Sequence, residues 1–140
     1  ENEYSFEIGK GVLLRDGNDV TIFGTGSILK DILDVVDELR KDGISSRVIN
    51  IHTIKPLDTD IILKAIHDTK RIITVEDHNI IGGLGSAIAE IVAESGIGVK
   101  FQRIGLTDFS HGYGTYEQVK EINGLGKQHV KEAVKNLLIT

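Results

Sequence analysis

Three polar residues, Glu76, Asp77 and His78, stand in a row directly after a β-branched apolar run, Ile72-Ile73-Thr74-Val75. Two carboxylates beside an imidazole are the side chains of general acid–base work or of metal ligation. Neighbours on an extended segment point to opposite sides, so the three do not converge on one proton or one metal. Asp108 and His111 have ligand-like spacing but no third ligand near them in sequence, and a metal site needs several convergent ligands. Two glycine turns offer another chemistry, since backbone N–H groups at a helix start can hold a phosphate. Gly24-Thr25-Gly26-Ser27 lacks the third glycine of GxGxxG and the lysine of a P-loop. It reads as a tight turn with Thr25 or Ser27 as a helix N-cap. Gly82-Gly83-Leu84-Gly85-Ser86 carries two glycines of a dinucleotide fingerprint, at Gly83 and Gly85, with Ile88 where the third belongs. The following strand, GVKFQRI, lacks the acid that would bind a ribose. Close backbone packing against another subunit or domain is the better reading of these glycines. Neither Ser27 nor Ser86 lies in a GxSxG elbow. The histidines, His52, His67, His78, His111 and His129, are scattered.

The elements that must position these residues alternate in type. Strands are predicted at Val12 to Arg15, Val20 to Phe23, Ser46 to Ile51, Arg71 to Val75 and Gly98 to Ile104. The last alternates apolar and polar residues and reads as an edge or half-exposed strand. Helices are predicted from about Ser27 to Lys41, Asp58 to Asp68, Leu84 to Glu94 and Thr115 to Ile122, and a final one carries Val130, Ala133, Val134, Leu137 and Leu138. Asp58 is placed to cap its helix, and Thr115 with Gln118 has capping-box spacing. Pro56, the only proline, blocks continuation of the third strand. Strand–helix alternation predicts a mainly parallel sheet covered on both faces, with the strand tips on one edge. Ligands and partners gather at that edge. It would carry Gly24–Ser27, His52–Lys55, Glu76–Gly85 and the region of Asp108.

Composition narrows the classes. The chain has 140 residues, 40% hydrophobic and 26% charged. That is the size of one domain, residues 1–140, with a core of ordinary proportions. A net charge of −5 argues against a dedicated nucleic-acid or anionic-membrane binder. No apolar run approaches the ~18 residues of a transmembrane helix. The first residues lack the basic and apolar regions of a signal peptide. With no cysteine, disulfides and thiolate catalysis are impossible, which fits a cytoplasmic protein. The chain opens on Glu1 without an initiator methionine, as a processed, trimmed or excised chain would.

The segments FEIGKG (6–11), DVTIFGTGS (19–27), INIHTIKPLD (49–58), ITVEDHNIIGGLGSAIAE (73–90) and IGLTD (104–108) together resemble the C-terminal domain of transketolase-type enzymes. The resemblance covers nearly the whole chain, in order. It implies a three-layer α/β/α fold with a mixed, mostly parallel five-stranded sheet whose first strand runs antiparallel. It implies an enzyme that moves two-carbon ketol units between sugar phosphates with thiamine diphosphate and magnesium, the cofactor supplying the carbon nucleophile. Deoxyxylulose-phosphate synthase and the β subunits of 2-oxoacid dehydrogenases share the domain. The family's GDG…N motif for the diphosphate and metal is absent, since Asp16-Gly17-Asn18 is only a turn. The pyrimidine-binding domain with its activating glutamate is absent too. The resemblance therefore implies an assembly domain, inactive alone, with no catalytic, cofactor-binding or metal-binding residue. Its partners would be the N-terminal diphosphate- and pyrimidine-binding portions, within a homo-oligomer. Glu76, Asp77, His78, Gly82, Gly83 and Gly85 are its packing and interface candidates, and Asp108–Gly114, within DFSHGYGTY, departs most from the family pattern. Two other readings are a free-standing oligomerisation module of the same fold and a small nucleotide-binding flavodoxin-like domain.

Overall fold

The computed structural model describes residues 6–139. The β-branched runs form strands β2 (Val20–Thr25), β3 (Ser46–Asn50) and β4 (Arg71–Asn79). Their apolar residues are buried on both faces of the sheet, as expected of central parallel strands. β2 pairs in parallel with β3 on one side and with β4 on the other. The alternating run is β5 (Lys100–Leu106), half-buried and parallel to β4 at one edge. β1 (Val12–Arg15) closes the other edge, antiparallel to β3 with Val12 opposite Asn50. The strand order is β1-β3-β2-β4-β5, the mixed sheet that the resemblance implied.

Helices cover both faces. α1 (Leu29–Lys41) and α5 (Lys127–Ile139) pack one core with Ile22, Val48, Ile73 and Val75. α2 (Thr59–Thr69) and α3 (Leu84–Ser95) pack the other with Phe23, Ile49, Ile51 and Ile72. The helical stripes are those the spacing predicts: Ile32, Val35, Val36 and Leu39 on α1, and Ile62, Ala65 and Ile66 on α2. Asp58 caps α2 by accepting from Ile61 N–H at 3.3 Å. The capping box of α4 (Tyr116–Ile122) is complete: Thr115 Oγ1 accepts from Gln118 N–H at 3.3 Å, and Gln118 Oε1 accepts from Thr115 N–H at 2.9 Å. Among the described residues no helix is long and apolar enough to cross a membrane.

Three expectations need correction. β4 runs on through Glu76, Asp77 and His78 to Asn79 instead of stopping at Val75. An irregular register keeps it paired, with Asn79 opposite Leu106 and Ile80 N–H donating to Leu106 O at 2.8 Å. β5 correspondingly spans Lys100–Leu106 rather than 98–104. The turn after β2 is a 3-10 turn, Gly26–Ile28, and neither Thr25 nor Ser27 caps α1. The Ser27 hydroxyl is turned to another partner, described below.

The topology sets where a site belongs. β2 feeds α1 on one face and β4 feeds α3 on the other. β2 and β4 are neighbours, so their exit loops part and leave a crevice at the carboxyl ends of the strands.

Candidate functional site

The run at the tip of β4 divides by strand alternation. Glu76 shares a face with Ile72 and Thr74 and is 1% exposed, beneath the start of α3. Its carboxylate accepts from Leu84 N–H through Oε2 and from Gly85 N–H through Oε1, both at 2.8 Å. The N-cap of α3 is Gly83, with no side chain of its own to cap with. Glu76 fills that role, and its charge sits at the positive end of the helix. The glycines make room for it. A Cβ on Gly83 would lie 2.0 Å from Glu76 Oε2 and 2.6 Å from Asn79 O. One on Gly85 would lie 2.6 Å from Thr74 Oγ1. These close neighbours belong to the same chain, whereas the packing expected of this turn was against another subunit or domain. Gly82 differs: its φ is +76° and the space around it is open.

Asp77 points the other way, into the crevice. Tyr116 Oη donates to Asp77 Oδ2 at 2.6 Å and lies 2.7 Å from Ser27 Oγ. Ser27 Oγ also reaches Asp77 Oδ2 at 3.5 Å. The cluster joins the exits of β2 and β4 to α4. Burial, and then the hydrogen bond to the Asp77 carboxylate, push the Tyr116 hydroxyl above its usual pKa. Beneath it Lys120, 3% exposed, is bonded to the buried Asp31 carboxylate and lies 2.9 Å from Glu117. The ammonium also sits 4.6 Å from the centre of the Tyr116 ring, within cation–π range. Burial works against its charge, but the carboxylates of Asp31 and Glu117 outweigh it and raise its pKa. His78 is exposed, and among the described residues its ring hydrogen-bonds only with Asn79 O, at 3.0 Å. Glu76, Asp77 and His78 thus do three separate things.

Among the described residues at this crevice, no set of side chains is arranged to hold thiamine diphosphate or magnesium. In the nearest spelling to a diphosphate motif, Asp16 Oδ1 accepts from Gly17 N–H at 2.9 Å and from Arg47 Nε at 3.1 Å. Asp108 caps Phe109 N–H at 2.8 Å, and among the described residues no three acids or histidines cluster as a metal site. Ser86 Oγ donates to Ile80 O at 2.7 Å, which pins the loop before α3. Tyr116, Lys120 and Asp31 were missed in the sequence. The one available signal was a lysine on the inner side of a short amphipathic helix.

The family model for "Transketolase, C-terminal domain" matches residues 9–130. A protein of Methanocaldococcus jannaschii described as a transketolase C-terminal section is 40% identical over 96% of this chain and 42% of its own length. The 6-deoxy-6-sulfo-D-fructose transketolase subunit SqwH of a Clostridium species is 38% identical over 95% of this chain and 41% of its own. The 1-deoxy-D-xylulose-5-phosphate synthase of Heliobacterium modesticaldum is 38% identical over 93% of this chain and 20% of its own. A solved structure described as "Split gene transketolase, inactive beta4 tetramer" superposes with a TM-score of 0.91 at 32% identity. It is covered over 45% of its length by 99% of this chain. The chain therefore spans less than half of each of these relatives.

Proposed function

This chain belongs to the transketolase C-terminal domain family, and from that premise we propose that it is the C-terminal assembly domain of a transketolase-type enzyme. The described residues, 6–139, belong to that one domain. The complete enzyme moves two-carbon ketol units between sugar phosphates in the cytoplasm. Thiamine diphosphate and magnesium are held by N-terminal domains or by a separate N-terminal subunit. This chain supplies neither the cofactor's ligands nor a catalytic residue, and alone it is inactive. The observation that carries the reading is the pairing of a family match over residues 9–130 with side chains already bound to one another. Glu76 is spent on α3, and Asp16 on Arg47.

Asp77, His78 and Gly82, with Ile81 at 74% exposure, form the rim that faces the N-terminal portion. Glu76, Gly83 and Gly85 shape that rim from beneath. The oligomeric state named for the split-gene relative supports a homo-oligomer here too. Mixing the purified chain with matching N-terminal portions is expected to restore ketol transfer. Full activity of those portions without this chain would overturn the proposal. The match to a 1-deoxy-D-xylulose-5-phosphate synthase favours one second reading, in which the same domain serves that reaction. Assaying both activities in the reconstituted mixture separates the two.

A further inference from the structure

Three cations gather at the opposite end of the sheet. Most lysines and arginines of this net-acidic chain face a carboxylate. Lys127 meets Asp34, Lys131 meets Glu38 and Lys135 meets Asp42. Lys70, Arg71 and Lys100 do not. Among the described residues their side chains meet no acid and no hydrogen-bond acceptor, and Arg71 Nε is closed off from solvent without a partner. All three line one cleft of about 550 Å³ between the α2–β4 turn and the start of β5.

The backbone forces the cations together. Arg71 and Lys100 are register partners on parallel strands, so their side chains leave the same face side by side. Like charges in that relation repel. Lys70 adds a third at a left-handed φ of 52°, tied by Lys100 N–H donating to Lys70 O at 3.0 Å. The one acid on the rim, Asp68, is engaged by Arg47 at 2.7 Å and Lys64 at 3.1 Å. Three unmatched cations around open space are what a multiply charged anion relieves, and the arginine fork suits phosphoryl oxygens. Gly98 and Val99 complete the wall with uncharged surface.

We propose that this cleft binds a phosphorylated small molecule of the diphosphate class, held by Arg71, Lys100 and Lys70. The proposal goes beyond the assembly role and does not depend on it. The test uses inorganic pyrophosphate as probe on the full 140-residue chain, followed by amide NMR and calorimetry at fixed ionic strength. Saturable shifts confined to 68–71 and 98–100 are expected. Gly98→Glu puts a carboxylate into the cleft, and a Cβ there meets nothing within 4 Å. It is expected to weaken binding by about tenfold or more, as Lys100→Gln should, since each removes or cancels a charge-assisted bond. Lys41→Gln, away from the cleft, is expected to change nothing. Shifts reproduced by sodium chloride at equal ionic strength would overturn the proposal. So would unchanged affinity in Lys100→Gln, whose half-exposed side chain makes misfolding a poor explanation.

Discussion

Glu76 and Gly83 are matched in shape: the carboxylate that caps α3 occupies the space a Cβ at position 83 would need, 2.0 Å from Oε2. Gly83→Ala is therefore expected to displace the carboxylate from the Leu84 and Gly85 amides, at a cost of about 2–3 kcal/mol. Glu76→Gln turns an NH₂ donor toward one of two backbone donors and should cost about 1–3 kcal/mol. Gly82→Ala meets open space and carries only the left-handed penalty of about 1–2 kcal/mol. Urea unfolding of the three variants orders them. Equal midpoints for Gly82→Ala and Gly83→Ala would dismiss the steric account.

Lys120 and Asp31 form a buried ion pair between helices, 89 residues apart in sequence. Removing one partner strands the other charge out of water. Lys120→Met is expected to cost about 3 kcal/mol, at the low end because Lys127 stays 3.6 Å from Asp31. Adding Asp31→Asn to Lys120→Met should recover a good part of that loss. A double-mutant cycle in guanidinium measures it, and strictly additive effects would rule out the pairing.

Acid is expected to loosen the join between β3 and α2. The Arg47 guanidinium, and after it Lys64, hold the Asp68 carboxyl down to about 2 from an ordinary 3.8. A folded-state pKa below the unfolded one means that the stabilisation is complete above the unfolded value. It is lost as pH falls through roughly 4 to about 2. Wild type should thus converge with Asp68→Asn in that window, and exceed it in stability at neutral pH. Melting curves against pH test this, and a constant gap down to the lowest pH would refute it.

Tyr116→Phe removes the hydroxyl shared by Asp77 and Ser27. The bonds are exposed, so the expected loss is modest, about 0.5–1.5 kcal/mol. The sharper readout is local: amide exchange in Tyr116–Ile122 should quicken while α2 is unchanged. Unchanged protection of α4 would show that other contacts hold it.

Apolar pattern located the five strands and four of the α-helices among the described residues, because Ile, Val and Leu repeat at the spacing of the surface they cover. α4 was placed by its capping-box spacing, and the 3-10 turn at Gly26–Ile28 was not foreseen. Apolar pattern did not reveal the antiparallel direction of β1, which came only with the family resemblance. Four residues leave too little pattern to carry a direction. The length of β4 was hidden because Glu76-Asp77-His78-Asn79 is polar, and its pairing depends on a register shift supplied by β5. The inward turn of Glu76 was illegible for a related reason. An ionisable residue goes inside only where donors await it, and those donors are amides eight and nine residues on. The Ser27 cap failed through competition from Tyr116, a residue 89 positions away. Local rules cannot see such a partner.

The reversed direction of β1 has a consequence for how this polypeptide is wired. Val12 opens the strand beside Asn50, at the end of β3 from which the chain leaves for α2, and Gly11 N–H donates to Asp58 Oδ2 at 2.8 Å. Upstream polypeptide would thus arrive on the same rim as the Ile81–Gly82 turn rather than at the far end of the sheet.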